Sequence, residues 1–234
     1  MKYWSLFSGG KDSITLAHHL ASKGQLEGIV TIDTGISTPD HLPFVKNVCQ
    51  QFGWDLKVYR TPESYDALVL KYGFPKPPSH SWFRTYLKGR CIRQFHKENP
   101  EAVLASGVRR HESKRRFKNT REEGEWEGAK IHSPIHDWQT SQVWKYVRKN
   151  NLPLSPTYKD LRVSGDCLCG GMAEQQELSL LRAFYPSLYA RIRDLERKCD
   201  RDPAIRMRRW GSKEKPNNQS SLLCFEACQT TVST

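Results

Sequence analysis

Residues 8–13 read Ser8-Gly9-Gly10-Lys11-Asp12-Ser13, directly after the short apolar run Tyr3-Trp4-Ser5-Leu6-Phe7. A strand that ends in two glycines and then opens a helix presents unpaired backbone N–H groups at a helix N-terminus, where the macrodipole also favours anions. Gly9 and Gly10 let the backbone approach a phosphate closely. Lys11 adds a mobile positive charge, and the Ser8 and Ser13 hydroxyls add donors. The spacing differs from the Walker A loop, which sets four residues between its first glycine and its Gly-Lys pair. A solitary Ser-Gly-Gly reads as a capped turn, whereas these six residues in order read as a phosphate cradle.

Two further groups follow strand signals. Asp33-Thr34-Gly35 closes the run Thr31-Ile32, where a carboxylate accepts a ribose or amine hydrogen bond and a glycine opens room for a ligand. Residues 106–116 follow Val103-Leu104-Ala105 and include Gly107, Arg109, Arg110, His111 and Glu112. Guanidinium forks just past a strand end suit bidentate phosphate binding, and a nearby carboxylate holds one of them in place or steers a metal ion. His18, His19, His80, His96, His132 and His136 show no ligand spacing and read as background.

Seven cysteines, an odd number, argue against a disulfide framework. Cys167-Leu168-Cys169-Gly170-Gly171 is a close pair beside two glycines, and Cys224 and Cys228 form a second pair near the C-terminal end. With Cys91 they make five candidates for the four thiolate positions of a 4Fe–4S cluster or of a structural zinc. Cys49 and Cys199 lie on helical stretches and read as buried small hydrophobes.

The 234 residues carry 37 Lys and Arg against 25 Asp and Glu, a net charge of +12 with a pI near 9.4. Such an excess suits a polyanionic partner, a nucleotide or a nucleic acid. No run of about 18 apolar residues appears, so no transmembrane helix is expected. The N-terminal residues lack a signal-peptide pattern, which points to a cytoplasmic protein.

The elements that must position these groups alternate. Strand signals lie near 2–7, 27–33, 55–60 and 101–106, and helical stretches near 11–23, 39–52, 63–72 and 83–97. This alternation predicts an α/β fold, a mainly parallel five-stranded sheet with helices on both faces, with ligand at the carboxyl ends of the strands. Proline-rich 73–81 and the segment 120–128 read as loops. A helix is expected over 140–150 with Thr140 as its N-cap, and a longer one over 174–198 interrupted at Pro186. The organisation that results is a nucleotide-binding α/β domain over 1–165 and a helical, cysteine-containing extension over 166–234. From Arg201 the chain turns polar and basic, reading as a flexible connector.

The loop at 8–13 resembles the pyrophosphate loop of the ATP pyrophosphatase superfamily. Together with Asp33-Thr34-Gly35, Cys91 near Lys88 and Arg90, Gly107-x-Arg109-x-x-Glu112-Ser113, Pro134-Ile135-x-Asp137-Trp138, Val143-Trp144 and Pro156-x-Tyr158, it resembles the phosphoadenosine-phosphosulfate reductase family over roughly 3–198. The resemblance implies an adenine nucleotide α-hydrolase-like fold, Rossmann-like, and an adenine-nucleotide ligand. Assimilatory reductases of the family attack sulfur with a cysteine in a C-terminal Glu-Cys-Gly-Leu-His-type segment. Here the tail reads Leu223-Cys224-Phe225-Glu226-Ala227-Cys228-Gln229, without that glycine or histidine. Retained Lys11 and Asp12 agree better with relatives that split ATP, the sulfur-activating subunits of DNA phosphorothioation systems and tRNA thiolation enzymes.

The leading expectation is therefore an ATP-dependent, pyrophosphate-releasing sulfur-transfer enzyme that uses ATP with Mg2+. Lys11, Asp12 and Arg109 would be catalytic. A nucleic-acid acceptor and a sulfur donor such as a cysteine desulfurase are the expected partners. The alternatives are a sulfonucleotide reductase served by thioredoxin, with Cys224 or Cys228 as a rearranged thiol, and a non-catalytic nucleotide-binding adaptor.

Overall fold

The structure is a computed structural model and describes residues 1–76, 82–113, 117–118, 120–173 and 175–211. Cys224, Cys228 and most of the expected connector lie outside the described residues.

The elements run β1 (Tyr3–Leu6), α1 (Lys11–Ser22), β2 (Leu26–Asp33), α2 (His41–Phe52), β3 (Leu56–Arg60), α3 (Tyr65–Tyr72), a π-helical stretch (Phe83–Gly89), α4 (Arg90–Glu98), β4 (Val103–Ala105), a 3-10 turn (Arg110–Glu112), β5 (Glu123–Trp126), β6 (Ala129–His132), α5 (Thr140–Lys149), α6 (Thr157–Leu161), α7 (Gln175–Phe184) and α8 (Pro186–Arg201). They build a six-stranded sheet in the order β3-β2-β1-β4-β6-β5. Every neighbouring pair is parallel except β5 with β6. Strand order reverses between β1 and β4, so the carboxyl ends of these two strands flank the crevice where open α/β sheets bind ligands.

The four strands read from the sequence all form. The sixth strand does not match the five-stranded expectation, and its origin is specific. Residues 120–128, expected as a loop, enter the antiparallel hairpin β5–β6, turned by Glu127 (φ 53°) and Gly128 (φ 85°). Two consecutive left-handed residues are what a two-residue hairpin turn requires. The strand β5, Glu-Gly-Glu-Trp, is exposed along most of its length and lacks apolar alternation, so its sequence looks like a loop. Its charges suit an edge strand that must not pair further.

Both faces of the sheet are covered. On one, Phe7, Ile14, Ala17 and Ile29 pack with Val45, Val48 and Cys49 of α2 and Val143 and Val147 of α5. On the other, Val30, Tyr59 and Leu104 pack with Cys91, Ile92 and Phe95 of α4. A third apolar cluster joins α3 to α7 and α8 and holds Ile36, Tyr65, Trp82, Leu168, Cys169 and Trp210. Pro186 starts α8 after α7 ends at Phe184, so the interruption falls where expected. The cap of α5 is Gln139, one residue before the expected Thr140, and its backbone N–H donates to the Gln142 side chain at 2.7 Å. The expected helix over 83–97 begins as a π-helix and becomes α-helical only at Arg90. Among the described residues no helix is long and apolar enough to cross a membrane.

Candidate functional site

Strand β1 delivers Phe7–Gly10 to the carboxyl edge of the sheet. Gly9 has φ of +71°, a region costly for residues with a Cβ, and its carbonyl accepts from the Ser155 N–H at 3.3 Å. Gly10 caps α1 with no side-chain cap bond. The turn is tied internally instead: the Ser8 N–H donates to Ser13 Oγ at 3.2 Å, and the Ser13 hydroxyl donates to the Gly10 carbonyl at 3.0 Å. The Lys11 N–H donates to the Tyr158 phenol at 3.2 Å, which brings α6 onto the loop.

One carboxylate organises the charge. Asp12 Oδ2 pairs with Lys11 Nζ at 2.6 Å, and Asp12 Oδ1 accepts from Arg109 Nε at 2.6 Å. Arg109 arrives 97 residues later in the chain, beyond β4, and is only 1% exposed. Its guanidinium also donates to the Trp138 carbonyl at 3.0 Å and to Thr140 Oγ1 at 3.4 Å. The Glu112 carboxylate accepts the Arg109 backbone N–H at 2.9 Å, fixing the main chain from which the side chain turns inward. Gly107 makes the approach possible, because a Cβ there would lie 3.2 Å from the Asp12 carbonyl carbon and 3.3 Å from the Ser13 nitrogen. Lys11 and Arg109 share the Asp12 carboxylate, and Glu112 sets a second carboxylate against the Arg109 main chain beside the helix N-terminus.

The facing wall is the end of β2. Asp33 Oδ1 accepts the Gly35 N–H at 2.9 Å, while Asp33 Oδ2 pairs with Arg60 of β3 at 2.8 Å. Thr34 donates to the Asp166 carbonyl at 3.3 Å, and the Gly35 carbonyl accepts from Arg191 of α8 at 2.8 Å. The Asp166 carboxylate pairs with Lys88 of the π-helical stretch at 3.1 Å. That pairing raises the Lys88 ammonium pKa. Asp166 is lowered although burial works the other way, because Lys88 lies against it. Beside them His41 is buried, with neither ring nitrogen hydrogen-bonded, and burial lowers its pKa. Tyr158 connects the two walls. Burial raises its phenol, and the charges of Asp12, Asp166 and Glu112 add to that against the Lys11 amide.

Cys167 and Cys169 follow Asp166. Their thiols are hydrogen-bonded: Cys169 keeps its proton and its bond brings Cys167 down to about 7, with burial opposing and Lys88 assisting. Cys91 belongs to the separate cluster under α4, where burial pushes its thiol up to about 11. The structure therefore brings two of the five candidate thiols together and keeps Cys91 apart from them. Among the described residues no three His, Cys, Asp or Glu side chains converge on a metal position, so these residues alone do not make an iron–sulfur or zinc site.

Ser8–Ser13, Gly107, Arg109 and Glu112 thus form one assembly, with Asp33, Thr34 and Gly35 on the facing wall. Arg110 separates from its neighbour: its side chain points outward, pairing with Asp137 at 3.0 Å. Asp166 and His41 carry no sequence signal of their own. Asp166 follows Ser164-Gly165 in what reads as a turn, and His41 sits at the start of α2 like any helix residue. Tyr158 stands in the Pro156-x-Tyr158 pattern, but its bond to the loop follows only from the fold.

Several known proteins are similar to this chain. An uncharacterized protein of Methanocaldococcus jannaschii is 29% identical over 223 residues, which covers 92% of this chain and 53% of that protein. A phosphoadenosine 5'-phosphosulfate reductase of Xanthomonas euvesicatoria pv. vesicatoria is 27% identical over 160 residues, 67% of this chain and 65% of its own. Among solved structures, the phosphate complex of phosphoadenylyl-sulfate reductase from Candida auris aligns with a TM-score of 0.49 at 18% identity, covering 69% of this chain and 78% of that one. The chain spans about half the length of the first curated relatives it matches, 53% and 41%. The match to the phosphoadenosine phosphosulfate reductase domain runs over residues 2–188, the stretch that holds the loop, both walls and the paired cysteines, and the chain belongs to that family.

Proposed function

We propose that the protein binds ATP at the Ser8–Ser13 loop and is a pyrophosphate-releasing sulfur-transfer enzyme acting on a nucleic acid, of the DNA phosphorothioation or tRNA thiolation type. The observation that carries this reading is the Lys11–Asp12–Arg109 cluster at the N-terminus of α1, bonded on both carboxylate oxygens at 2.6 Å. Helix amides and a held lysine at the end of a parallel strand stabilise the charge that develops as a polyphosphate leaves. In the reaction, a phosphate or base oxygen of the acceptor attacks the α-phosphorus of ATP, the bond to the β-phosphate breaks and pyrophosphate departs. The terminal sulfur of a persulfide, supplied by a donor such as a cysteine desulfurase, then displaces AMP, and a second thiol cleaves the S–S bond, leaving sulfur on the acceptor and a disulfide between the two thiols that an external dithiol reduces.

Lys11 is the phosphate ligand in this scheme. Asp12 aims Lys11, and Arg109 holds Asp12, a positioning part that suits a guanidinium 1% exposed. Magnesium enters with the nucleotide. Asp33, Thr34 and Gly35 form the adenosine side, with Gly107 closing the loop from below. Cys167 and Cys169 sit beside the Lys88–Asp166 pair as the described thiols on the facing wall. A 4Fe–4S cluster would need Cys224 and Cys228 in addition.

The test is pyrophosphate release from labelled ATP by the full chain in the presence of DNA or tRNA. Release is expected with one of these acceptors and not with Lys11→Ala. No release above that variant refutes the reading. Sulfite formed from a sulfonucleotide with thioredoxin would establish the reductase alternative, and saturable ATP binding without turnover the adaptor.

A further inference from the structure

The loop that carries Arg109 inward presents a different surface outward. Next to the buried guanidinium, the Arg110 guanidinium lies 5.1 Å from the Phe117 ring centre. The His111 ring meets the same phenylalanine edge-on, centres 5.8 Å apart. Phe117 is nonetheless 56% exposed. These residues, with Ser113 and Lys118, line an open cavity of about 360 Å³.

Single exposed apolar side chains are ordinary, Phe184 at 52% being another, and what sets Phe117 apart is the cation and the imidazole held against its ring. An apolar partner is disfavoured by Lys118 and by the exposed Arg110–Asp137 pair, 3.0 Å apart, which would lose hydration against it, whereas so exposed a pair is weak enough to let the guanidinium turn to a phosphate. A partner with a flat face and a negative backbone satisfies both at once. Unstacked nucleobases joined by phosphates have that chemistry, since base–aromatic stacking and cation–phosphate contacts are the two elements of single-strand binding. A duplex does not, because its base faces are already stacked. The net charge of +12 acts in the same direction over longer range.

We propose that Arg110, His111, Phe117 and Lys118 form the docking surface for a single-stranded or looped segment of the acceptor nucleic acid, with one base stacked on Phe117. This deepens, and rests on, the proposed action on a nucleic acid. The surface and the loop site are joined through one peptide bond: Arg109 points to Asp12 and Arg110 to the cavity. A strand bound there is carried toward the carboxyl edge of the sheet.

The test is fluorescence anisotropy of a labelled 12-nucleotide oligomer with the full chain, as single-stranded DNA, single-stranded RNA and duplex DNA. Wild type should bind a single strand more tightly than the duplex, and the preference between DNA and RNA distinguishes the two sources of acceptor. Phe117→Ala should weaken single-strand binding by about tenfold, while Phe117→Trp retains it. Arg110→Ala should reduce the salt dependence, lowering the slope of log affinity against log salt by roughly 1. Unchanged single-strand affinity in Phe117→Ala overturns the surface while leaving a nucleic-acid acceptor standing. Equal binding of duplex and single strand, or preference for a polyglutamate peptide over every oligomer, overturns it as well. Pyrophosphate release from ATP by wild type is scored separately, so failure here and failure of ATP chemistry are distinct results.

Discussion

Replacing Arg109 by methionine probes the contact on which the proposed site depends. Methionine fills much of the same space and removes the guanidinium. Three partners lose their donor: the Asp12 carboxylate, the Trp138 carbonyl and the Thr140 hydroxyl. Breaking a buried ion pair by deleting one partner costs ~3–5 kcal/mol. The lower end applies here, because Asp12 is 21% exposed and keeps its bond to Lys11. A loss of about 3 kcal/mol is therefore expected, a large part of a typical domain stability of ~5–15 kcal/mol. At a urea slope of about 2 kcal/mol per molar, the unfolding midpoint falls by about 1.5 M. A double-mutant cycle with Asp12→Asn isolates the pair, and a coupling of ~1–3 kcal/mol is expected between groups in direct contact. ATP affinity should fall in each single variant and little further in the double, because both act on the same lysine. A stability loss under about 1 kcal/mol, or additivity within about 0.5 kcal/mol, would refute the reasoning.

Two other perturbations test parts of the same frame. Gly107→Ala places a methyl 3.2 Å from the Asp12 backbone, a wall that does not yield as a side-chain tip does, so thermal melting should show Tm lower by about 5 °C together with weaker ATP binding. Gly124→Ala, with no atom within 4 Å of the new methyl, is the control and should leave ATP binding unchanged and Tm equal or slightly raised. His41 supplies a pH dependence. Its folded pKa lies below the ordinary value because of burial, with Lys88 acting the same way and Asp166 and Asp33 opposing. Below about pH 6.5 the unfolded chain binds a proton that the folded chain refuses, so stability falls as pH falls through that range. In His41→Leu this fall should be shallower between pH 7 and 5.5 by urea unfolding. Some slope should persist, since His18 and His19 are also lowered by burial. An identical slope in the variant would show that His41 does not carry the effect.

How far the sequence could be read depended on whether a signal was local. The Ser8–Ser13 loop was legible because glycines, lysine and serines in consecutive order fix their own turn and helix start. The four parallel strands were legible through apolar runs bounded by turn residues. Strand β5 was not, since an exposed edge strand needs no apolar alternation and its hydrogen bonds come from a partner. The break at Pro186 was visible, because a proline has no N–H to continue α7. The change from π- to α-helix at Arg90 was not, because an extra residue in a helical turn leaves the apolar pattern nearly unaltered.

At the site itself the division falls between residue and role. Arg109 and Arg110 are identical neighbours in sequence, both placed past a strand end by the same reasoning. Only the packing of Gly107 on α1 and the bond that the Arg109 amide donates to Glu112 send one guanidinium to Asp12 and the other to Asp137 and Phe117. Likewise Lys88, Asp166 and His41 come from three separate segments and meet only because the π-helical stretch, the chain after α6 and the start of α2 converge at one sheet edge. By itself the sequence determined that a phosphate site opens α1 and that an α/β sheet carries it, because both follow from contacts between near neighbours. The tertiary structure decided which charges neutralise one another and which are left to face a ligand, because the pairings at the site join residues 78 and 97 positions apart.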